Sequence, residues 1–341
     1  MAINVLVTGA GGGVGQGIIK SLQMISDMKI TIIGADMSSL ATGIYAVDKA
    51  YLVPSCFADG YLTRIERIIQ SEDISFYFPG TDVELEFCAK NKEYLESKYN
   101  ISVVVSSEYA IAISDNKYKT SEFLRSNNLY YPVTYMQNEI PDDLEFPVIV
   151  KPAVGCRSIG VSIANSREEL FVRINNEKDL VVQELIGSDN DEYTCTIVKC
   201  GELLSDVLIL KRVLRSGDTY RAEPVKSDII SNYVTRVASA LKINGSCNFQ
   251  LRLDANGKPK IFEINCRYSG TTPFCSQLGF NPVEFYLKAK LGIAYNYNID
   301  FSSIVLRYWA EVLVSKEKIL ELNNSGEIIP ESNKKHDLFK G

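Results

Sequence analysis

The chain opens with a short apolar strand that runs directly into a glycine-rich turn. Asn4 to Thr8 form a β-branched run, the segment from Gly9 to Gly15 carries the turn, and Gln16 to Met24 follow a helical pattern. A strand, a tight turn and a helix in this order are typical of the first unit of an open parallel sheet. The opening segment therefore favours an α/β fold.

The same alternation continues to about residue 107. Strands are predicted at 30–34, 74–78 and 101–105, and helices at 61–70 and 84–98. Apolar strands that alternate with helices predict a parallel sheet covered on both faces. Residues 1–107 are therefore expected to form one open α/β domain.

The glycine turn has two interpretations. Gly9, Gly12 and Gly15 separate a strand from a helix, and Asp36 closes the second strand about 20 residues further on, as in NAD-binding folds. The spacing fits GxxGxxG better than GxGxxG, because position 14 is Val. The turn is either a dinucleotide site or a tight turn that merely permits close backbone approach.

The rest of the chain follows a different pattern. Predicted elements are a helix at 116–127, strands at 147–151 and 161–164, a helix at 167–175 and a strand at 180–184. Antiparallel strands are predicted beyond them, at 193–199, 203–214, 247–254 and 259–264, with a hairpin turn at 254–257. The fold class is therefore α/β followed by α+β.

Length and charge restrict the partners. A chain of 341 residues suggests two or three domains. The net charge of −6 argues against nucleic acid and anionic membranes as partners. No stretch approaches about 18 apolar residues and the N-terminus has no basic leader, so we expect a cytoplasmic protein that does not enter membranes.

Histidine and cysteine usage excludes several enzyme classes. The sole histidine, His336, lies in a polar tail at 331–341, which makes Ser-His-Asp, Cys-His and His-metal chemistry improbable. The eight cysteines include no CxxC pair, so neither a zinc knuckle nor a redox dithiol is indicated.

Three features in the second half point to a nucleotide triphosphate and a metal. The first is Lys151, at the end of a buried strand, followed by a loop with Gly155, Ser158 and Gly160. Backbone N–H groups of such a loop can wrap phosphate oxygens, which indicates a phosphate flap. The alternative is a glycine hairpin with a surface lysine.

The second feature is the apolar strand that carries Glu184 at its exit, followed by Glu192. Such an edge can offer backbone groups to an adenine and a carboxylate to ribose hydroxyls. The alternative is an ordinary strand with solvated acids.

The third feature is the pair of strands that carry Gln250 and the run Glu263-Ile-Asn265-Cys-Arg267. Period-two alternation places Glu263, Asn265 and Arg267 on one face. Carboxylate and amide oxygens suit Mg²⁺, and an arginine beside them can neutralise charge on a transferring phosphoryl group. The alternative is a structural salt-bridge ladder.

These residues resemble the ATP-grasp superfamily, especially the branch with carbamoyl phosphate synthetase large subunits, biotin carboxylase and the ligase of pyrrolysine biosynthesis. The resemblance covers nearly the whole chain. It implies a Rossmann-like pre-ATP-grasp domain at 1–107, a small lid subdomain at 108–184 and a large subdomain with the metal strands at 185–330. The glycine turn then serves geometry, since this first domain normally binds no NAD.

The resemblance also implies roles for individual residues. Arg267 and Lys211 are the expected catalytic residues. Either Lys211 or Arg212 is expected to contact the triphosphate. Many members of the superfamily have a second acidic residue at the position of Gln250, although glutamine does occur there in the carbamoyl phosphate synthetase branch. The expected metal ligands are Gln250, Glu263 and Asn265. The expected ATP contacts are Lys117, Lys151, Ser158, Gly160, Gln183, Glu184, Leu185, Ile186 and Glu192. The expected substrate contacts are Gly12, Asp82, Glu84, Arg221 and Ser269.

By this resemblance the protein is an ATP-dependent carboxylate–amine ligase that uses ATP and Mg²⁺, or Mn²⁺, and forms an acyl phosphate. Its substrates are a small-molecule carboxylate and an amine, and dimerisation is common in such enzymes. The alternatives are an ATP-dependent carboxylase, a kinase-like enzyme, or an NAD(P)-binding or nucleotide-sensing protein. Arg215, Arg221 and Arg252 are further candidates for holding a substrate carboxylate.

Overall fold

The computed structural model describes residues 2–155, 159–188, 191–308 and 310–330. The strands are β1 (Ala2–Val7), β2 (Lys29–Asp36), β3 (Lys49–Leu52), β4 (Phe76–Phe78), β5 (Ser102–Val103), β6 (Thr134–Met136), β7 (Val148–Pro152), β8 (Ser162–Ala164), β9 (Leu180–Glu184), β10 (Glu192–Cys200), β11 (Leu203–Leu204), β12 (Leu208–Arg215), β13 (Asp218–Val225), β14 (Gly245–Leu253), β15 (Pro259–Asn265), β16 (Val305–Leu306) and β17 (Glu327–Ile328). The helices are α1 (Gly13–Gln23), α2 (Tyr61–Ser71), α3 (Asp82–Tyr99), α4 (Glu108–Ser114), α5 (Lys117–Ser126), α6 (Arg167–Asn176), α7 (Asp228–Leu241), α8 (Thr272–Gln277), α9 (Pro282–Leu291) and α10 (Lys316–Ser325).

The first sheet has the order β17-β3-β2-β1-β4-β5. All its pairings are parallel except that of β17 with β3. Along β1, Val5 and Val7 pack into the core that contains α1, while Leu6 packs into the core formed with α2 and α3. Both faces are buried, as the continuous apolar pattern of β1 requires. The predicted parallel sheet is confirmed.

Close backbone contacts explain the glycine turn after β1. A Cβ atom added to Gly15 would lie 2.2 Å from the Gly9 carbonyl oxygen, and one added to Gly80 would lie 2.2 Å from that of Thr8. Asp36, which would bind a ribose in a dinucleotide fold, instead accepts a hydrogen bond from the Gly11 N–H at 2.9 Å. These contacts favour the tight-turn interpretation.

The other two sheets are antiparallel throughout. The four-stranded sheet has the order β6-β9-β7-β8, and the seven-stranded sheet has the order β15-β14-β10-β12-β13-β16, with β11 paired to β10. On β10, Cys195 and Ile197 are buried in a core that also contains α5 and α7, whereas Glu192 and Thr194 lie on the opposite face. The large sheet therefore has one apolar face and one partly polar face.

The far end of the described chain returns to the first sheet. Glu327 and Ile328 of β17 pair with Tyr51 and Ala50 of β3, and Arg64 donates a hydrogen bond to the carbonyl oxygen of residue 326 at 2.9 Å. The sequence pattern did not predict this strand. The domain boundaries at 107 and 184 stay predictions.

Two further details differ from the sequence pattern. The single strand predicted at 203–214 is two strands, because the chain bends at Ser205, whose hydroxyl accepts a hydrogen bond from the Val198 N–H at 2.9 Å. In the described parts of the chain, no helix combines the length and apolarity that crossing a bilayer requires.

Candidate active site

A cavity of about 450 Å³ lies between the four-stranded and the seven-stranded sheets. One wall comes from β7, β8 and β9, and the other from β12, β14 and β15. Its lining residues include Lys117, Ile149, Lys151, Ile159, Val161, Ile163, Gln183, Glu184, Leu185, Ile186, Glu192, Arg212, Gln250, Arg252, Phe262 and Glu263. Apolar walls with a few converging charged groups are typical of a site for a small molecule or cofactor.

Lys151 on β7 is the most buried cation of this cavity, with 4% of its surface exposed. Its Nζ donates a hydrogen bond to Gln183 Oε1 at 2.8 Å and lies 5.4 Å from the centre of the Phe262 ring. Burial lowers the pKa of Lys151 to about 7, although the charge of Glu263 opposes the shift. An arriving anion would therefore favour the charged form of Lys151.

Lys117 begins α5, where the Asn116 side chain caps the helix. Its Nζ donates a hydrogen bond to the Gly155 carbonyl oxygen at 2.9 Å, at the start of the glycine loop. Ser158 lies outside the described residues. Gly160 adopts a positive φ of 74° and accepts a hydrogen bond from Arg173 at 3.0 Å; its neighbours at 159 and 161 line the cavity.

The exit of β9 forms the edge of the cavity between the two sheets. Both ends of the Gln183 amide are hydrogen-bonded: its Oε1 accepts from Lys151 Nζ, and its Nε2 donates to Thr134 Oγ1 at 2.8 Å. Glu184 pairs with Lys260 at 2.6 Å, and its backbone N–H donates to the Val133 carbonyl oxygen. Leu185 and Ile186 complete this edge and line the cavity.

Glu192 is held between two arginines. Its Oε1 accepts hydrogen bonds from Arg212 at 2.6 and 3.0 Å, and its Oε2 accepts from Arg252 at 2.8 and 3.2 Å. Glu192 and Arg252 are direct cross-strand neighbours on β10 and β14. Glu192 thus lines the cavity as predicted, but both of its oxygens already bind protein groups, and the ribose contact stays a prediction.

The strands β14 and β15 bring the expected metal ligands together. Glu263 Oε1 accepts hydrogen bonds from Asn265 Nδ2 at 2.9 Å and from Gln250 Nε2 at 3.2 Å. Asn265 Oδ1 in turn accepts one from Arg267 Nη2 at 3.0 Å. The three residues that strand alternation placed on one face, together with Gln250 of the neighbouring strand, therefore form one connected group.

A β-bulge adds a residue that the alternation missed. The register between β14 and β15 shifts between Gln250 and Leu251, so Glu263 and Ile261 face consecutive residues of the partner strand. The intervening Phe262 lines the cavity beside Glu263, with Lys151 and Arg252 over its ring. Strict alternation would have placed Phe262 on the opposite face.

Arg267 links this group to the first sheet. It lies just beyond β15 and makes a two-point ion pair with Asp82, the first residue of α3, with Nη2 and Oδ2 at 3.0 Å. Gly12, at the start of α1, belongs to the turn that packs against the loop before Asp82. Ser269 is buried two residues after Arg267, with its hydroxyl 2.7 Å from that of Thr271.

Three expected residues are not brought to this group. Lys211 faces away from the cavity and pairs with Asp191 at 2.8 Å, whereas its neighbour Arg212 lines the cavity. Arg221 is exposed on β13. Glu84 is buried in the first domain, where it accepts hydrogen bonds from the hydroxyls of Thr8, Tyr61, Tyr77 and Thr81, and burial raises its pKa.

The donor set of the metal strands fits a hard cation. Within the described ranges, no cluster of three or more His, Cys, Asp and Glu side chains is arranged around a metal position. The set here is instead one carboxylate and two amides, all with oxygen donors, the ligand type of Mg²⁺ rather than of softer metals. Glu263 Oε1 is engaged by two amide groups, so its second oxygen is the better-placed donor.

Two family models match the chain. Residues 114–271 match the ATP-grasp domain, and residues 5–104 match the PylC-like N-terminal domain. The cavity between two antiparallel sheets and the parallel sheet before them agree with these matches. The chain therefore carries an ATP-grasp domain at 114–271 behind a PylC-like N-terminal domain, and the ATP-grasp resemblance drawn from the sequence motifs is confirmed.

Among curated relatives, the carbamoyl phosphate synthase large chain of Thermoplasma acidophilum is 22% identical over 78% of this chain and 27% of its own length. That of Clostridium botulinum (strain Eklund 17B) is 25% identical over 99% of this chain and 35% of its own length. The chain thus spans about a quarter to a third of these relatives.

Solved structures share the fold. N5-carboxyaminoimidazole synthetase from Staphylococcus aureus, complexed with ADP, has a TM-score of 0.69 at 16% identity, covering 89% of this chain and 80% of its own. The L-amino acid ligase from Bacillus licheniformis has a TM-score of 0.64 at 19% identity, covering 85% and 74%. The biotin carboxylase domain of Hydrogenobacter thermophilus 2-oxoglutarate carboxylase, with MgADP, has a TM-score of 0.67 at 16% identity, covering 88% and 73%.

Proposed function

We propose that the chain is an ATP-dependent carboxylate–amine ligase that works through an acyl phosphate. The observation that carries the proposal is the arrangement around one cavity, in which Lys151 and Glu263 face the same space. From Glu263 a chain of hydrogen bonds leads through Asn265 to Arg267. A triphosphate site and a charge-neutralising arginine are thus adjacent.

The nucleotide is assigned to this cavity. Lys117 and Lys151 supply positive charge for the phosphates, and Gly155, Ile159 and Val161, on either side of the flap tip, line the same cavity. The edge formed by 183–186 is the proposed adenine contact. The buried Lys151 suits this role, because an unpaired ammonium is costly in a dry site and a phosphate removes that cost.

Gln250, Glu263 and Asn265 would hold Mg²⁺, or Mn²⁺ in its place. When bound, the cation would supply charge neutralisation between the phosphates. Arg267 lies on the far side of this set and is positioned to stabilise charge on the transferred phosphoryl group. Such a reaction depends on positioning and charge, and it needs no histidine.

The proposal is tested by ADP and phosphate release with ATP, Mg²⁺ and paired libraries of carboxylates and amines. Glu263→Gln and Arg267→Lys should lose substrate-dependent release while calorimetry still detects nucleotide binding. Glu223→Gln, an exposed acid on β13, is the matched control. If no pair of substrates stimulates release from the wild-type protein, the ligase assignment is wrong.

A second candidate is an ATP-dependent carboxylase or a kinase-like enzyme. One similar solved structure is an N5-carboxyaminoimidazole synthetase, and another is a biotin carboxylase domain in complex with bicarbonate. These names favour bicarbonate as the alternative to an organic carboxylate substrate. Mass spectrometry of the product separates the three reactions, since a ligated amine, an added carboxylate and a retained phosphate differ in mass. Calorimetric titration of ATP against NADPH tests the remaining NAD(P) alternative.

A further inference from the structure

Arg307 is a cation that the proposed reaction does not use. It follows β16, and its backbone N–H donates to the Tyr220 carbonyl oxygen at 2.8 Å. The guanidinium donates a hydrogen bond to the Gly270 carbonyl oxygen and lies 5.0 Å from the centre of the Phe274 ring. Both the backbone and the side chain are therefore fixed.

The described part of the chain offers this guanidinium no ionic partner. Among the residues that the structure describes, no carboxylate lies within ion-pair distance of Arg307, and Asp218 acts on it only from further away. Burial lowers the pKa of Arg307. An arginine keeps its charge under all ordinary conditions, so the cost of burying it persists until an anion arrives.

A second cation lies nearby on α1. The positive charge of Arg307 and partial burial together lower the pKa of Lys20, with burial the larger cause. One turn earlier, Gly17 packs against the Ser269 carbonyl oxygen and Pro273. Hydrogen bonds from Ser276 to Ser21 at 2.9 Å and from Asn281 to the carbonyl oxygen of Ser21 at 2.8 Å fix α1 against α8 and α9.

Arg307 contacts the loop that follows Arg267, and α1, the helix that carries Lys20, packs against the same loop through Gly17. Gly270, which Arg307 contacts, is three residues beyond Arg267, and neither Gly270 nor Arg307 lines the nucleotide cavity. A Cβ atom at Gly270 would approach the guanidinium to 3.7 Å. A group held here would therefore be next to the reacting centre without touching the nucleotide.

Resting on the ligase function proposed above, we propose that Arg307 and Lys20 bind an anionic group of the acceptor amine. The acceptor is thus an amino acid or a phosphorylated amine rather than a neutral one. A planar carboxylate can accept two parallel hydrogen bonds from a guanidinium, and Lys20 adds a point charge that also suits a phosphate.

The first test uses acetate and inorganic phosphate as probes. Thermal unfolding is compared in each anion and in chloride, at equal ionic strength and pH, for the wild type, Arg307→Gln, Arg307→Lys and Lys20→Gln. Arg236→Gln, an exposed arginine on α7, is the control. The wild type and the control should gain stability in one of the anions, and Arg307→Gln should gain less, because phosphate can still bind at Lys117 and Lys151 in every variant.

The outcomes of this test are distinct. A gain in acetate assigns a carboxylate, and a gain in phosphate alone assigns a phosphoryl group. No gain in the wild type, or an equal gain in Arg307→Gln, overturns the inference. If Arg307→Gln does not fold, Arg307→Lys and Lys20→Gln decide. Lys20→Gln removes one of the two cations, and Arg307→Lys keeps both charges but loses the planar guanidinium, so each should retain only part of the gain.

The second test uses glycine and L-alanine against their amides as acceptors in the ADP-release assay. For an amino acid acceptor, Arg307→Gln should raise KM by roughly 10- to 100-fold, as expected for loss of a charge-assisted hydrogen bond, with little change in kcat. Equal KM values in wild type and variant would refute the anion site but leave the ligase intact. Absence of release with every pair would instead refute the ligase.

Discussion

Replacing Lys151 by methionine should change how stability depends on pH. The folded protein holds Lys151 with a pKa of about 7, against an ordinary value of 10.5. That difference corresponds to roughly 5 kcal/mol of cost for the charged form in the folded state. The cost is present in full below pH 7, because the lysine is then charged in both states. It declines between pH 7 and 10.5, where only the unfolded chain keeps the proton.

The Lys151→Met variant lacks this pH dependence. It also loses the hydrogen bond to Gln183, at a cost of roughly 1–3 kcal/mol that does not vary with pH. The advantage of the variant over the wild type should therefore shrink by roughly 3 kcal/mol between pH 6 and pH 9, at about 1.4 kcal/mol per pH unit above 7. Urea denaturation at both pH values measures the difference, with the exposed Lys119→Met as control. A difference between Lys151→Met and wild type that is the same at both pH values would refute the buried, neutralised lysine.

Three further predictions follow from the same geometry. ATP binding at pH 8 should take up close to one proton, because the phosphates favour the protonated form of Lys151. Calorimetry in two buffers of different ionisation enthalpy measures this uptake, and equal heats in both buffers would contradict it. Glu192→Gln removes the counter-charge of two arginines and should destabilise the protein by roughly 3 kcal/mol in chemical denaturation. Gly80→Ala places a Cβ atom 2.2 Å from the Thr8 carbonyl oxygen and should cost about 2–3 kcal/mol, seen as a lower Tm.

The local pattern of the sequence was enough to predict which side chains share a face at the end of β15. Residues at 263, 265 and 267 share a face because a strand repeats every second residue, and the structure joins them by hydrogen bonds. The position of Phe262 in the cavity wall was not predicted, because a β-bulge depends on the pairing register of two strands rather than on the sequence of either strand alone. The roles assigned by resemblance, including that of Lys211, stay predictions.

Contacts between distant segments could not be predicted in the same way. Arg252 and Arg212 were each considered as ligand contacts, yet both pair with Glu192, a choice that depends on the order of β12, β10 and β14 in the sheet. The pair of Arg267 with Asp82 joins residues 185 positions apart. The spacing of residues along the sequence carries no information about such long-range contacts.

The return of β17 to the first sheet has a consequence for synthesis. Until residues 327–328 leave the ribosome, β3 has no neighbour on its outer side, and the hydrogen-bonding groups of that edge stay available to other chains. The parallel sheet is therefore begun before the two antiparallel sheets and completed after them. A nascent chain stalled before this point would carry an open β-edge and a greater tendency to aggregate than the finished protein.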